Sequence, residues 1–196
     1  MTKDLTQGKI TPLLVKFTIP LLFGNIFQLM YNSVDSIIVG QLVGKEALAA
    51  VGTSNPLMTL AILFVNGMCI GASILMGTQY GAKKMDVLKR QISTTMIAGI
   101  VFSIAVTLFC ILFARPLLLL IRVQEEVLPL AVSYLRIVFL GFIFTFIYNF
   151  FACTLRALGD SKTPLYFLVT SAFLNIFGDL FFVVVLRWGV AGSAIS

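Results

Sequence analysis

The chain has 196 residues, 59% of them hydrophobic and 11% charged, with a mean hydropathy of +1.04. Soluble domains carry about 25% charged residues, and none of this size has an interior that holds so much apolar side chain, so the composition excludes a soluble globular fold. The net charge of +6, from 14 Lys+Arg against 8 Asp+Glu, calls for no nucleic-acid partner, because basic loops are what membrane topology itself requires.

Met1 to Thr11 is a short polar lead with Lys3, Asp4 and Lys9. A basic lead before an apolar run is also how a signal peptide begins. This run is far longer than such a segment and no small-x-small site follows it, so it reads as an uncleaved first span. That span covers about 12–40 and carries Asp35 with Asn25, Gln28 and Asn32 behind it. At helical periodicity these four share one face, opposite Leu, Ile, Phe and Met. Pro20 removes a backbone hydrogen bond inside the span, which predicts a kink about a third of the way along.

The second span covers about 48–80, with Asn55, Thr59, Asn66 and Ser73 roughly on one face. Its pairs Gly67/Gly71 and Gly77/Gly81 have the spacing that permits close helix packing. Gly81 to Gln91, with Lys83, Lys84, Lys89 and Arg90, reads as a basic retention loop. The third span, 92–113, has almost no strong polar group and reads as a peripheral scaffold helix. A loop from Arg115 to Glu126 leads to the fourth span, 127–153, which holds Arg136, Thr145, Tyr148 and Asn149. Arg136 is close enough to the span end to snorkel. The loop Arg156 to Pro164 contains Gly, Asp and Pro turn signals. The fifth span, 165–186, repeats the polar stripe with Ser171, Asn175 and Asp179, four residues apart. A sixth helix begins near 189 and is not finished by Ser196.

The predicted fold is therefore an all-α integral membrane protein: one transmembrane helical lobe over 1–196, with five spans and the start of a sixth. Cys69, Cys110 and Cys153 lie in apolar segments without paired spacing and read as small packing residues. There is no histidine, so any proton carried must ride on a carboxylate. With the N-terminus inside, nine Lys/Arg fall on inner segments (Lys3, Lys9, Lys16, Lys83, Lys84, Lys89, Arg90, Arg156, Lys162) and four on outer ones (Lys45, Arg115, Arg122, Arg187). That asymmetry places the N-terminus in the cytoplasm.

A carboxylate in lipid costs about 2.5–3.5 kcal/mol or more, so Asp35 and Asp179 need a shared reason. Counted from Val39 and Leu186 they lie four and seven residues from the outer ends of their spans. Both fall in the outer half of the bilayer. The expectation is that the two stripes face each other across a water-filled cavity that binds an ion and a substrate.

On the stretches IPLLFGNIFQLMYNSVDSIIVGQLVG, RALGDSKTP and NIFGDLFFVVVLRWGVAGSA, the chain resembles the N-terminal half of the multidrug and toxic compound extrusion (MATE) transporters. The resemblance implies a twelve-span antiporter in two six-helix lobes. Such a protein sits in the cell membrane and expels organic cationic or amphipathic molecules in exchange for Na⁺ or H⁺, without an organic cofactor. It further implies a cation site at Asp35, Asp179 and Asn175, with the two aspartates as metal ligands if the ion is Na⁺, and a hinge at Pro20. The second lobe is absent from the chain, and alternating access by rocking needs one.

Cation entry is then expected to neutralise the carboxylates, repack the first span about Pro20 and release substrate. Asn25, Gln28 and Asn32 would face that substrate, with Tyr31, Phe27, Tyr148 and Asn149 as further lining. The amides have a plainer reading as interhelical hydrogen bonds, worth about 0.6 kcal/mol on average. Two alternatives remain within membrane proteins: a lipid-linked oligosaccharide flippase of the same superfamily, whose pyrophosphate would want a cationic cavity, and a non-transporting membrane fragment. An intramembrane enzyme would need a nucleophile and base that the sequence does not display.

Overall fold

The computed structural model describes residues 10–195, apart from the side chains of Ile10, Tyr31, Asn32, Asp35, Ile38, Val39 and Leu42. Every regular element among them is helical: α1 (Ile10–Ile38), α2 (Lys45–Gly81), α3 (Met85–Leu120), α4 (Leu128–Leu140), α5 (Phe142–Ala157), α6 (Lys162–Asp179) and α7 (Gly189–Ile195). α1 and α6 each run on into a wider π-helical segment, Val39–Val43 and Leu180–Val185. This is the all-helical outcome that lipid imposes, since a helix satisfies its own backbone where no water is at hand. Four helices are long and apolar enough to cross a bilayer, and a fifth crossing results if α4 and α5, bent by 46° at Gly141, form one broken span.

Several boundaries differ from the sequence-based ones. α3 takes in Met85–Gln91 and Arg115–Leu120, both read as loop. Hydropathy marks where lipid ends, not where the helix ends. No Gly or Pro interrupts 85–91, and buried Leu88 anchors the first turn. At the other end buried Ala114 and Leu118 continue the packed face past Arg115. The reversals fall where backbone takes positive φ, at Lys83 (57°) before α3 and Arg122 (58°) after it. α1 passes through Pro20 as one continuous helix.

The core lies among α2, α3, α4 and α5. Val65 and Met76 of α2, Leu118 of α3, Leu135 and Phe139 of α4 and Phe146 and Phe150 of α5 are all essentially inaccessible. With lipid as the surrounding solvent, such helices associate by close packing and not by escape from water. Gly99 illustrates the device: a Cβ there would overlap the ring of Phe146, so the absent side chain is what lets α5 seat against α3. At the α4–α5 bend the Thr107 hydroxyl of α3 donates to the Phe139 carbonyl at 2.9 Å. A neighbouring hydroxyl thus serves the backbone beside the break.

α1 and α6 stand apart from this core. Among the described residues, none of either helix belongs to the main buried cluster. They pack on each other and run parallel, Gly24 against Leu165 and Leu168, and Phe27 against Phe173.

Candidate functional site

The site is built at the far end of the α1–α6 pair. α6 is started by the motif Arg156 to Pro164. Gly159 takes a φ of 85°, which turns the chain out of α5. The Asp160 carboxylate then accepts hydrogen bonds from the Lys162 amide (3.1 Å), the Thr163 amide (3.0 Å) and the Thr163 hydroxyl (2.7 Å). Two of the orphan amides of the new helix are satisfied in this way. Burial pushes the Asp160 carboxyl up, but these three donors outweigh it and hold the group below its usual range. The turn signals of this loop are thus a helix-starting device, and it fixes the rotation with which α6 presents its polar residues.

Those residues become steadily less accessible along the helix. Ser171 is exposed, Asn175 half-buried and Asp179 fully buried. The Oδ1 of Asn175 is itself inaccessible and accepts no hydrogen bond from the described residues. An amide oxygen held this way in an apolar bundle costs free energy unless something else uses it. Asp179 is the last α-helical residue before the π-helical segment Leu180–Val185. In α1, Asp35 stands four residues before the segment Val39–Val43. Wider π turns are rare and gather at functional positions.

The register of the pair can be read from its ring contact. Phe27 and Phe173 have centroids 6.4 Å apart. Position 35 lies eight residues beyond the first and position 179 six beyond the second, about 12 and 9 Å of helical rise. The two π-helical segments that follow come within 8 Å of each other, Cα to Cα. The side chains of Asp35, Tyr31 and Asn32 lie outside the described residues.

The other expected site residues are more scattered. Asn25 and Gln28 are exposed on α1, beside Gly24 and Phe27, which face α6. Tyr148 lines a cavity of about 310 Å³ between α5 and α6 with Phe151, Leu155, Pro164 and Phe167, and among the described residues none of α1 contributes to it. Asn149 gives its amide to the Thr145 carbonyl of its own helix at 2.8 Å. Among the described residues no group of three His, Cys, Asp or Glu side chains could hold a metal. The sequence reading missed the role of Asp160 and the π turns; Asp160 could have been found from its position three residues before Thr163, as a cap.

A family model described as MatE matches residues 20–181. "Probable multidrug resistance protein YpnP" of Bacillus subtilis (strain 168) is 34% identical over 193 residues, covering 98% of this chain and 43% of its own length. "Probable multidrug resistance protein YoeA" of the same strain is 36% identical over 160 residues, with coverage of 82% and 35%. The solved structure "Crystal structure of MATE in complex with MaD3S" superposes with a TM-score of 0.91 at 27% identity, covering 100% of this chain and 44% of that one. "Outward-facing conformation of a multidrug resistance MATE family transporter of the MOP superfamily" gives 0.87 at 27%, with coverage of 93% and 40%. The chain spans less than half the length of these proteins.

Proposed function

Since the chain belongs to the MatE family, we propose that it is the N-terminal half of a cation-coupled multidrug efflux antiporter in the plasma membrane. It would have five crossings and the start of a sixth, with a cytoplasmic N-terminus. The observation that carries the reading is Asp179, fully buried at an α-to-π junction beside an inaccessible Asn175 oxygen. The Phe27–Phe173 contact, from which positions 35 and 179 lie eight and six residues further on, supports a shared site.

In this reading Asp35, Asp179 and Asn175 form the cation site. A hard cation such as Na⁺ takes carboxylate and amide oxygens; a proton would instead be taken up by a carboxylate whose apolar surroundings favour its neutral form. Either neutralises charge at the outer half of the lobe and lets α1 repack on α6 about Pro20. The exposed α1 face with Asn25 and Gln28, together with Tyr31, Asn32, Tyr148 and Asn149, would line the substrate path. A second, C-terminal lobe would close over that face, as rocking-type alternating access requires. An acidic path suits organic cations and amphipathic compounds.

The test is drug efflux from cells and proteoliposomes carrying the protein, with Asp35→Asn and Asp179→Asn. Each variant is expected to reach the membrane in normal amount and to lose efflux. Efflux driven by an imposed Na⁺ gradient or an imposed pH gradient identifies the ion. Undiminished efflux from both variants overturns the reading.

A further inference from the structure

The proposed transport chemistry does not use a second polar cluster, at the end of α3 away from Lys89 and Arg90. A cavity of about 640 Å³ opens there between α3, the connection to α4, and α4 itself. Arg115, Arg136 and Glu125 line it, with Leu119, Leu128 and Val132 as an apolar wall. All three charged residues are exposed.

Their height follows from one bond. Arg136 Nε donates to the Ile111 carbonyl at 3.3 Å, so its guanidinium sits beside position 111, and Arg115 lies one turn further along α3. Between Arg90 and Arg115 the helix α3 carries 24 uncharged residues, about 36 Å of helical rise, which exceeds the roughly 30 Å of hydrocarbon in a bilayer. Both guanidiniums therefore stand where hydrocarbon gives way to headgroups, with their stems laid along apolar surface. Among the described residues the side chains of Arg115 and Glu125 make no hydrogen bond or ion pair, and the Arg136 side chain makes only the one to Ile111. Opposite charges that line one cavity without joining leave room between them for a species carrying both signs.

We propose that this cavity binds the headgroup of a zwitterionic aminophospholipid, with the phosphate on Arg115 and Arg136 and the ammonium on Glu125. The guanidinium fork matches phosphate oxygens, and the Leu119–Leu128–Val132 wall meets the glycerol and upper acyl chain. A purely anionic headgroup would leave Glu125 facing a hydroxyl or a like charge. The carboxylate thus supplies the selectivity and the two arginines the affinity.

Native mass spectrometry of the purified chain, offered equal amounts of phosphatidylethanolamine and phosphatidylglycerol, tests this. Wild type is expected to retain phosphatidylethanolamine preferentially. The double variant Arg115→Gln/Arg136→Gln should lower retention of both lipids by more than about tenfold, since the loss of one charge-assisted hydrogen bond alone accounts for tenfold and two arginines are removed. Glu125→Gln, an exposed loop change that leaves the helices untouched, should abolish the preference while keeping phosphatidylglycerol bound. Equal retention across all three proteins overturns the proposal, as does an unchanged preference in Glu125→Gln. Inorganic phosphate or phosphoethanolamine that binds as tightly as the lipid also overturns it, because the site would then serve a soluble anion.

Discussion

The ring of Phe146 occupies the space that a side chain at Gly99 would need. α3 and α5 therefore approach each other as closely as a missing methyl group allows, in the middle of the most buried part of the lobe. Gly99→Ala is expected to destabilise the protein by about 1–3 kcal/mol, the usual cost of overpacking, read as a lower midpoint in a thermal unfolding assay in detergent. Phe146→Leu in the same chain should recover part of that loss. Simple helix propensity predicts the opposite sign for Gly99→Ala, so the direction alone decides.

Asp160 gives the lobe a pH dependence of definite sign. Its carboxyl is held below the ordinary range by the amides of Lys162 and Thr163 and the Thr163 hydroxyl, against the opposing effect of burial. In the window between the folded and unfolded values the unfolded chain binds the extra proton. The contribution is complete above the ordinary carboxylate value of about 3.9 and disappears as the pH drops through the folded one. Asp160→Ala is expected to cost about 0.5–2 kcal/mol at neutral pH, as loss of a helix cap does, and to flatten the acid limb of a stability–pH profile. An acid limb that keeps its slope in Asp160→Ala would refute this.

Cross-linking can test the shared height of the two acids directly. With Cys69, Cys110 and Cys153 replaced by alanine, a short bifunctional thiol reagent should join cysteines introduced at 35 and 179. It should fail between 35 and 168, about 16 Å of helical rise lower on α6. Joining of the second pair and not the first would mean that the Phe27–Phe173 contact is not carried up to the acidic end.

How far the sequence could be read depended on whether lipid or a neighbouring helix imposed the constraint. Spans were legible because a lipid-facing stretch must be apolar throughout, which a single window detects. The true ends of α3 were not, since Lys89, Arg90 and Arg115 are polar yet helical. Asp179 announced itself through the cost of placing a carboxylate in an apolar helix, and the structure buries it completely. The 46° break at Gly141 was hidden, because one glycine in an apolar run has no distinctive period and its partner, Thr107, comes from another helix. The cluster of Arg115, Glu125 and Arg136 was invisible for the same reason: its members are assembled from two helices and a loop.

The separation of α1 and α6 from the main cluster divides the lobe mechanically. The four central helices share one interlocked interior and behave as a chassis. The pair carrying the acidic positions is fastened to it along one side and ends in loosely wound turns. Local opening is cheapest where few buried contacts must be surrendered. Amide protons of α1 are therefore the ones that should exchange first, and an ion bound between α1 and α6 would act as the latch on the part of the lobe that moves most easily.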